Sequence, residues 1–96
     1  MLKTIATFKD KDTQNLFYGK RIKKWEKITK PALLKLTRLN AIASLEELAN
    51  RPGDFLHKLK GDRKGQWAIT IQGLYRVCFY WKDGKAYEVE IVDYHQ

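Results

Sequence analysis

The sequence predicts an α+β fold in which N-terminal helices pack on one face of a curved antiparallel sheet. Three observations predict it. After Pro31, apolar residues recur at helical spacing, with Ala32, Leu36, Leu39 and Ala43 in one stripe. From Trp67 onward the apolar period changes to two, the spacing of strands. Between two such alternating runs sits Asp83-Gly84, a two-residue hairpin signal. Helices followed by a meander make an α+β sandwich.

Each element follows in order. Leu2, Ile5 and Phe8 are read as a short edge strand. Asp10 or Asp12 caps a short helix through Phe17-Tyr18, stopped by Gly19. Residues 20–30 hold six basic residues and one Glu, and read as a solvated connector or a weak helix. Pro31 suits the first turn of the next helix. Leu33 and Ile42 widen its apolar stripe, and Lys35 and Arg38 fall outside it. Ser44 and Glu47 form a capping-box pattern for a second short helix, Leu45 to Ala49, which Arg51-Pro52-Gly53-Asp54 ends.

Gly61 to Gly65 is then a loop, and Trp67, Ile69 and Ile71 mark a strand that Gly73 breaks. Tyr75, Val77, Phe79 and Trp81 alternate with Arg76, Cys78 and Tyr80 in the next strand. Tyr87, Val89, Ile91 and Asp93 are assigned to one face of the last strand, and Glu88, Glu90 and Val92 to the other. With Val77 and Phe79 facing the helices, Arg76 emerges on the open face.

Composition bounds the function. Ninety-six residues support one core, hence one domain over residues 1–96. With 44% hydrophobic residues, disorder is excluded despite 31% charged ones. The net charge of +8 calls for an anionic partner. Residues 1–65 carry 16 Lys and Arg against 7 Asp and Glu, whereas residues 66–96 carry 3 against 4, so the positive field belongs to the first two-thirds. The single cysteine, Cys78, excludes an intramolecular disulfide and fits a reducing compartment. No signal-length apolar stretch follows Met1, and the longest apolar run, Val77 to Trp81, is far too short to span a bilayer. The expectation is a soluble, cytoplasmic protein with no membrane partner.

Metal and cofactor chemistry find little support. Two histidines, one cysteine and neither H-E-x-x-H nor C-x-x-C argue against a metal site. Phosphate-loop and dinucleotide fingerprints are missing, so no cofactor is expected. Ser44, the only serine, reads as a helix cap, and Cys78 between aromatics reads as packing.

What remains is a set of cations, aromatics and histidines: His57, Lys58, Lys60, Arg63 and Lys64, then Arg76, then Asp93-Tyr94-His95. Metal-free RNA cleavage requires little more. The 2′-hydroxyl attacks phosphorus, a base takes its proton, an acid protonates the departing 5′-oxygen, and cations hold the phosphoryl charge. Lys and Arg serve the last role, Arg in bidentate fashion. His or Tyr serves the first two, and Tyr needs its pKa of about 10 lowered by neighbouring cations. Each feature alone has a plainer reading. Residues 57–64 are a solvated basic loop, Arg76 pairs with Glu88 or Glu90 across the hairpin, and the terminal triplet is a frayed end. Tyr80 and Trp81 are sheet packing before they are stacking platforms. The 20–30 segment is a soluble face or an electrostatic rail for RNA.

Taken together, His57-Lys58-Leu59-Lys60-Gly61-Asp62-Arg63-Lys64-Gly65-Gln66-Trp67, then Tyr75-Arg76-Val77-Cys78-Phe79, then Val92-Asp93-Tyr94-His95 resemble the HigB toxins of the RelE superfamily. Upstream, Leu16-Phe17-x-Gly19 and the helical pair from Leu33 to Leu48 extend the resemblance over nearly the whole chain. It implies the RelE-like microbial-RNase fold and cleavage of mRNA in the ribosomal A site. It further implies a HigA-like helix-turn-helix antitoxin through which operator DNA is bound. The catalytic positions it implies are His57, Lys60, Arg76, Asp93, Tyr94 and His95. Lys60 and Arg76 would stabilise the phosphate, His95 or Tyr94 would act as acid or base with His57 the other candidate, and Asp93 would orient a neighbour. Lys20, Arg21, Lys23, Lys24, Lys58, Arg63 and Lys64 are expected to contact RNA or ribosome. The sequence departs from the pattern after the tryptophan: many relatives carry S-I-R-I-N, and here Thr70 stands at the arginine. The alternative function is a translation inhibitor that occupies ribosomal RNA without cutting it and co-represses its operon.

Overall fold

A computed structural model describes residues 1–94. Helix α1, Lys11–Phe17, starts where the Asp10 carboxylate accepts from the Thr13 amide at 2.9 Å and from its hydroxyl at 2.8 Å. Asp10, and not Asp12, is therefore the cap. Gly19, at φ +91°, lets the chain turn away from the helix. The Thr13 hydroxyl also accepts from the Ile91 amide at 3.0 Å, pinning α1 to the last strand.

The basic segment is a 3-10 helix, Lys23–Ile28, anchored by buried Trp25 and Ile28. Helix α2, Thr29–Leu39, follows directly and buries Ala32, Leu36 and Leu39. Asn40 ends it and stitches the N-terminal segment to it. Its Oδ1 accepts from the amides of Lys3, Thr4 and Ile5, and its Nδ2 donates to the Met1 carbonyl. Helix α3, Leu45–Ala49, carries the expected capping box, with the Glu47 carboxylate accepting from the Ser44 amide at 3.1 Å.

The helical stripe misplaces Lys35 and Arg38. Lys35 is buried, and both cations bind the fully buried Asp54, Arg38 at 2.6 Å. Asp54 lies 16 residues beyond Arg38, so helical spacing on α2 carries no trace of it. Its backbone carbonyl accepts from the Thr70 amide at 2.7 Å, so the cluster joins α2 to the sheet.

The sheet has four strands in the order β1 (His57–Lys58), β2 (Trp67–Gln72), β3 (Tyr75–Lys82) and β4 (Lys85–Asp93), each antiparallel to its neighbour. Ile69, Ile71, Val77, Phe79, Ala86, Val89 and Ile91 face the helices and form the core with Leu16, Trp25, Ala32, Leu36 and Leu39. The N-terminal segment runs parallel to β4, bridging Ile5 to Ala86 and Phe8 to Val89, which covers that edge.

The register of β3 on β4 shifts between Cys78 and Tyr80. Opposite the shift Glu88 adopts φ +50°, the left-handed conformation of a bulge residue. The extra residue puts Ala86 and Val89 on the same buried face, three positions apart. Tyr87 therefore pairs with Tyr80 on the open face and does not share a face with Val89, as strict alternation assigns it. Among the described residues no helix is long and apolar enough to cross a membrane.

Candidate functional site

The face of the sheet turned away from the helices has its own order. His57, Ala68, Cys78 and Glu90 form one cross-strand row. Thr70, Arg76 and Val92 form the next. Ala68 and Cys78 are small and fully buried, so the middle of the face is a floor with larger groups around it.

The second 3-10 helix, Gly61–Arg63, brings Arg63 to this floor. One guanidinium nitrogen of Arg63 donates to Glu90 at 2.8 Å and to the Gln66 amide oxygen at 3.0 Å. Lys9 is the second cation on Glu90, at 3.6 Å. The Glu90 carboxylate raises the Arg63 pKa, by its hydrogen bond first. Glu90 is a site group that sequence reasoning assigned only as a possible partner of Arg76. Alternation did place it on the open face, but its partner lies 27 residues away.

Arg76 does not pair with Glu88 or Glu90. Its guanidinium donates to the carbonyls of Gly73 at 2.6 Å and Tyr75 at 3.0 Å, and its carbon lies 5.6 Å from the Tyr94 ring centre. Those carbonyls lie in the tight β2–β3 turn and at the first residue of β3, which holds the guanidinium at that end of the face. Tyr94 is led there by its amide, which donates to the Leu74 carbonyl at 3.1 Å. Its hydroxyl meets the Cys78 thiol at 3.8 Å.

Burial raises the Tyr94 pKa, and the Cys78 contact adds to the rise. Arg63 and Arg76 pull it down but do not prevail. The expectation that neighbouring cations lower this tyrosine is thus reversed, because withdrawing the phenolate from water outweighs them. Tyr94 keeps its proton near neutrality and suits the role of donor. The Cys78 thiol is likewise pushed up, chiefly by burial.

The other sequence-derived positions divide. His57 is exposed on β1 with Nδ1 3.0 Å from the Phe55 carbonyl. A carbonyl only accepts, so this contact calls for the proton on Nδ1 and turns Nε2 away from it. Lys60 is exposed at the N-terminus of the 3-10 turn that carries Arg63. Asp93 pairs with Tyr75, on the parity of Val77 and Ile91 and off that of Arg76. His95 lies outside the described residues.

Lys58 shares that helix-side parity and lies 5.5 Å from the Trp67 ring centre. Lys64 is exposed just after the 3-10 turn. Lys20 and Arg21 precede the first 3-10 helix, and Arg21 donates to Glu26 at 2.6 Å. Lys24 pairs with Asp12 at 2.9 Å. Lys23, Lys24 and Lys27, with Glu26 among them, line a cavity of about 400 Å³ whose other wall is Gln72 to Tyr75. Basic charge therefore continues from the Arg76 end of the face toward the helices. Among the described residues no group of three or more His, Cys, Asp or Glu is arranged to hold a metal ion.

A family model described as the RelE-like toxin of the type II toxin–antitoxin system HigB matches residues 6–95. The chain is 43% identical over 60 residues to an endoribonuclease HigB of Proteus vulgaris, an alignment covering 60% of this chain and 65% of that protein. It thus spans just under two thirds of that relative. Among solved structures, the YoeB–YefM complex from Staphylococcus aureus includes a chain matched at TM-score 0.56 and 14% identity, over 96% of this chain and 98% of that one. This likeness shows a shared α+β fold. The family match over residues 6–95 places the chain among the HigB-like, RelE-like toxins of type II toxin–antitoxin systems.

Proposed function

We propose that this chain, acting as one domain over residues 1–96, is a metal-independent endoribonuclease that cuts mRNA in the A site of a translating ribosome. The observation that carries this reading is the pair of guanidiniums on the open face, Arg76 with its carbon 5.6 Å from the Tyr94 ring centre and Arg63 held on Glu90, beside a floor of small side chains. Two fixed cations suit a phosphate whose charge grows in the transition state.

The proton transfers follow from the same face. His57 stands two strand spacings from Cys78, roughly 10 Å, and Cys78 marks the position of the Tyr94 hydroxyl. That separation is comparable to an in-line displacement flanked by a hydrogen bond at each end. In this mechanism His57 Nε2 takes the 2′-hydroxyl proton and the alkoxide attacks phosphorus. Tyr94 donates its proton to the departing 5′-oxygen. The products are a 2′,3′-cyclic phosphate and a free 5′-hydroxyl. Arg76 and Arg63 hold the phosphoryl oxygens with Lys60 in support. Asp93 orients the terminal segment, and His95 is the alternative base.

The family and the complex with YefM reported for the structural relative support an antitoxin partner. We assign it to the HigA-like helix-turn-helix kind, with operator DNA bound through it and the toxin working in the cytoplasm. Lys20, Arg21, Lys23, Lys24, Lys58, Arg63 and Lys64 supply contacts to RNA or ribosome. The test is primer extension on a translated message after induction of wild type and Arg76→Ala. New 5′ ends with wild type alone support the proposal. Arrested translation without new ends replaces it with a non-cleaving ribosome-binding inhibitor.

A further inference from the structure

Beyond the phosphate-holding end, the open face carries a second concave surface. It lies toward the β3–β4 hairpin, encloses about 650 Å³, and is lined by Tyr80, Trp81, Lys82, Asp83, Tyr87 and Glu88. Tyr80 and Tyr87 are cross-strand partners there. Tyr80 is 38% exposed, high for an aromatic in mid-sheet. Tyr87 reaches this face only because of the bulge at Glu88. A left-handed, non-glycine residue is thus spent on turning an aromatic away from the core, where packing would favour it.

The position relative to the site is fixed by strand geometry. Cys78 and Tyr80 alternate on β3 and so point to the same side, roughly 7 Å apart. A nucleotide next to the one whose phosphate sits at Arg63 and Arg76 therefore has its base within reach of Tyr80. The charges sort the two ends. The guanidiniums take phosphate at one end. At the other, Asp83 and Glu88 line the hollow beside Lys82, which disfavours a dense phosphate contact and leaves the hollow to a base.

We infer that Tyr80 and Tyr87 form a stacking platform for a nucleobase of single-stranded RNA adjacent to the scissile phosphate. This inference rests on the endoribonuclease reading, and its test separates the two. Single-stranded RNA is bound by aromatic side chains that stack on bases together with cations that follow the backbone. The probe is a short 2′-O-methyl oligouridine, which cannot be cut because its attacking hydroxyl is blocked. Its binding to the full chain is followed by amide NMR up to millimolar concentration, beside an abasic oligonucleotide of equal phosphate number.

Wild type and Tyr80→Phe/Tyr87→Phe should bind the oligouridine alike. Tyr80→Leu/Tyr87→Leu should bind it about tenfold more weakly, within the range of one stacked base. The abasic probe should bind all three alike, at the weaker level. Both tyrosines lie outside the core cluster, so the leucine variant keeps its fold, checked by its amide spectrum. Equal affinity of the leucine variant and wild type for the oligouridine overturns the platform and leaves the phosphate site standing. Failure of wild type to bind either probe overturns the RNA-binding reading and the platform with it.

Discussion

Among the described residues, each side of the sheet has a carboxylate held between two cations. On the helix side, fully buried Asp54 binds Lys35 and Arg38. On the open side, Glu90 binds Arg63 and Lys9, both of which keep substantial contact with water. The chemistry is similar and the burial is not. Charges withdrawn from water depend on each other, and breaking such a set is far more damaging than its net contribution suggests. Charges at a wet surface exchange partners readily. The first cluster therefore fixes α2 against the sheet, and the second holds an arginine at a wet surface where a phosphate can reach it. The same division runs through the two faces: one is packed for stability, the other arranged for contact.

The sharpest way to break this comparison is at Arg76. Its bonds go to the backbone carbonyls of Gly73 and Tyr75, and it takes no part in the core. Arg76→Ala should reduce cleavage of a translated message by about 10²–10³-fold, as loss of one transition-state donor does. Its urea midpoint should correspond to a stability change of less than about 1 kcal/mol. A large drop in midpoint would make Arg76 a structural residue and erase the distinction between the faces.

Asp54→Ala tests the other side. Removing the carboxylate leaves Lys35 and Arg38 in place without their counter-charge, which should cost about 3 kcal/mol. The effect should appear as a lower urea midpoint with unchanged slope. Cleavage per folded molecule should stay near wild type. An unchanged midpoint would show that both cations reach water without Asp54.

These two residues also mark what the sequence can disclose. The meander, the hairpin at Asp83-Gly84 and the caps at Asp10 and Ser44 are local patterns, and the structure contains each of them. The Asp54 cluster is hidden because a lysine and an arginine beside an apolar stripe look solvated until the chain returns to cover them. Tyr87 is misassigned because alternation is a rule of two and a bulge adds one. In the site, parity exposes Arg76 and Glu90 on the open face, but not the closure of Arg63 on Glu90. Nor does sequence weigh burial against charge at Tyr94, a balance that only packing decides.

A smaller effect distinguishes poised from fixed charge. Glu90→Gln keeps a hydrogen-bond acceptor for Arg63 but removes the negative charge. RNA binding should tighten at low salt, and the slope of log affinity against log salt should steepen by about 0.7, one added phosphate contact to a single strand. Cleavage should nevertheless fall about tenfold, because a guanidinium no longer anchored by charge is placed less well for the transition state. Opposite signs for binding and turnover are the signature of a positioning role. Loss of both together would mean that Glu90 serves only the fold.

The mildest test uses alkaline pH, where the two faces should part again. Burial raises the pKa of Cys78 and of Tyr94 in the folded chain. Above the ordinary cysteine pKa of about 8.5 the unfolded chain gives up a proton that the folded chain retains. The folded state then binds more protons, so stability falls as pH rises, by at most about 1.4 kcal/mol per pH unit for one group. Below about pH 8 these two groups contribute no slope. Cys78→Ala should delay the decline until Tyr94 of the unfolded chain begins to ionise, near pH 10. Val77→Ala, one residue away on the core face, should lower the whole curve by about 2 kcal/mol without changing its shape. Urea midpoints from pH 7 to 10.5 decide between these outcomes. If Val77→Ala also shifts the onset of the decline, titration is governed by general loosening of the sheet. If only Cys78→Ala shifts it, the proton belongs to the open face, where Tyr94 holds the one it is proposed to donate.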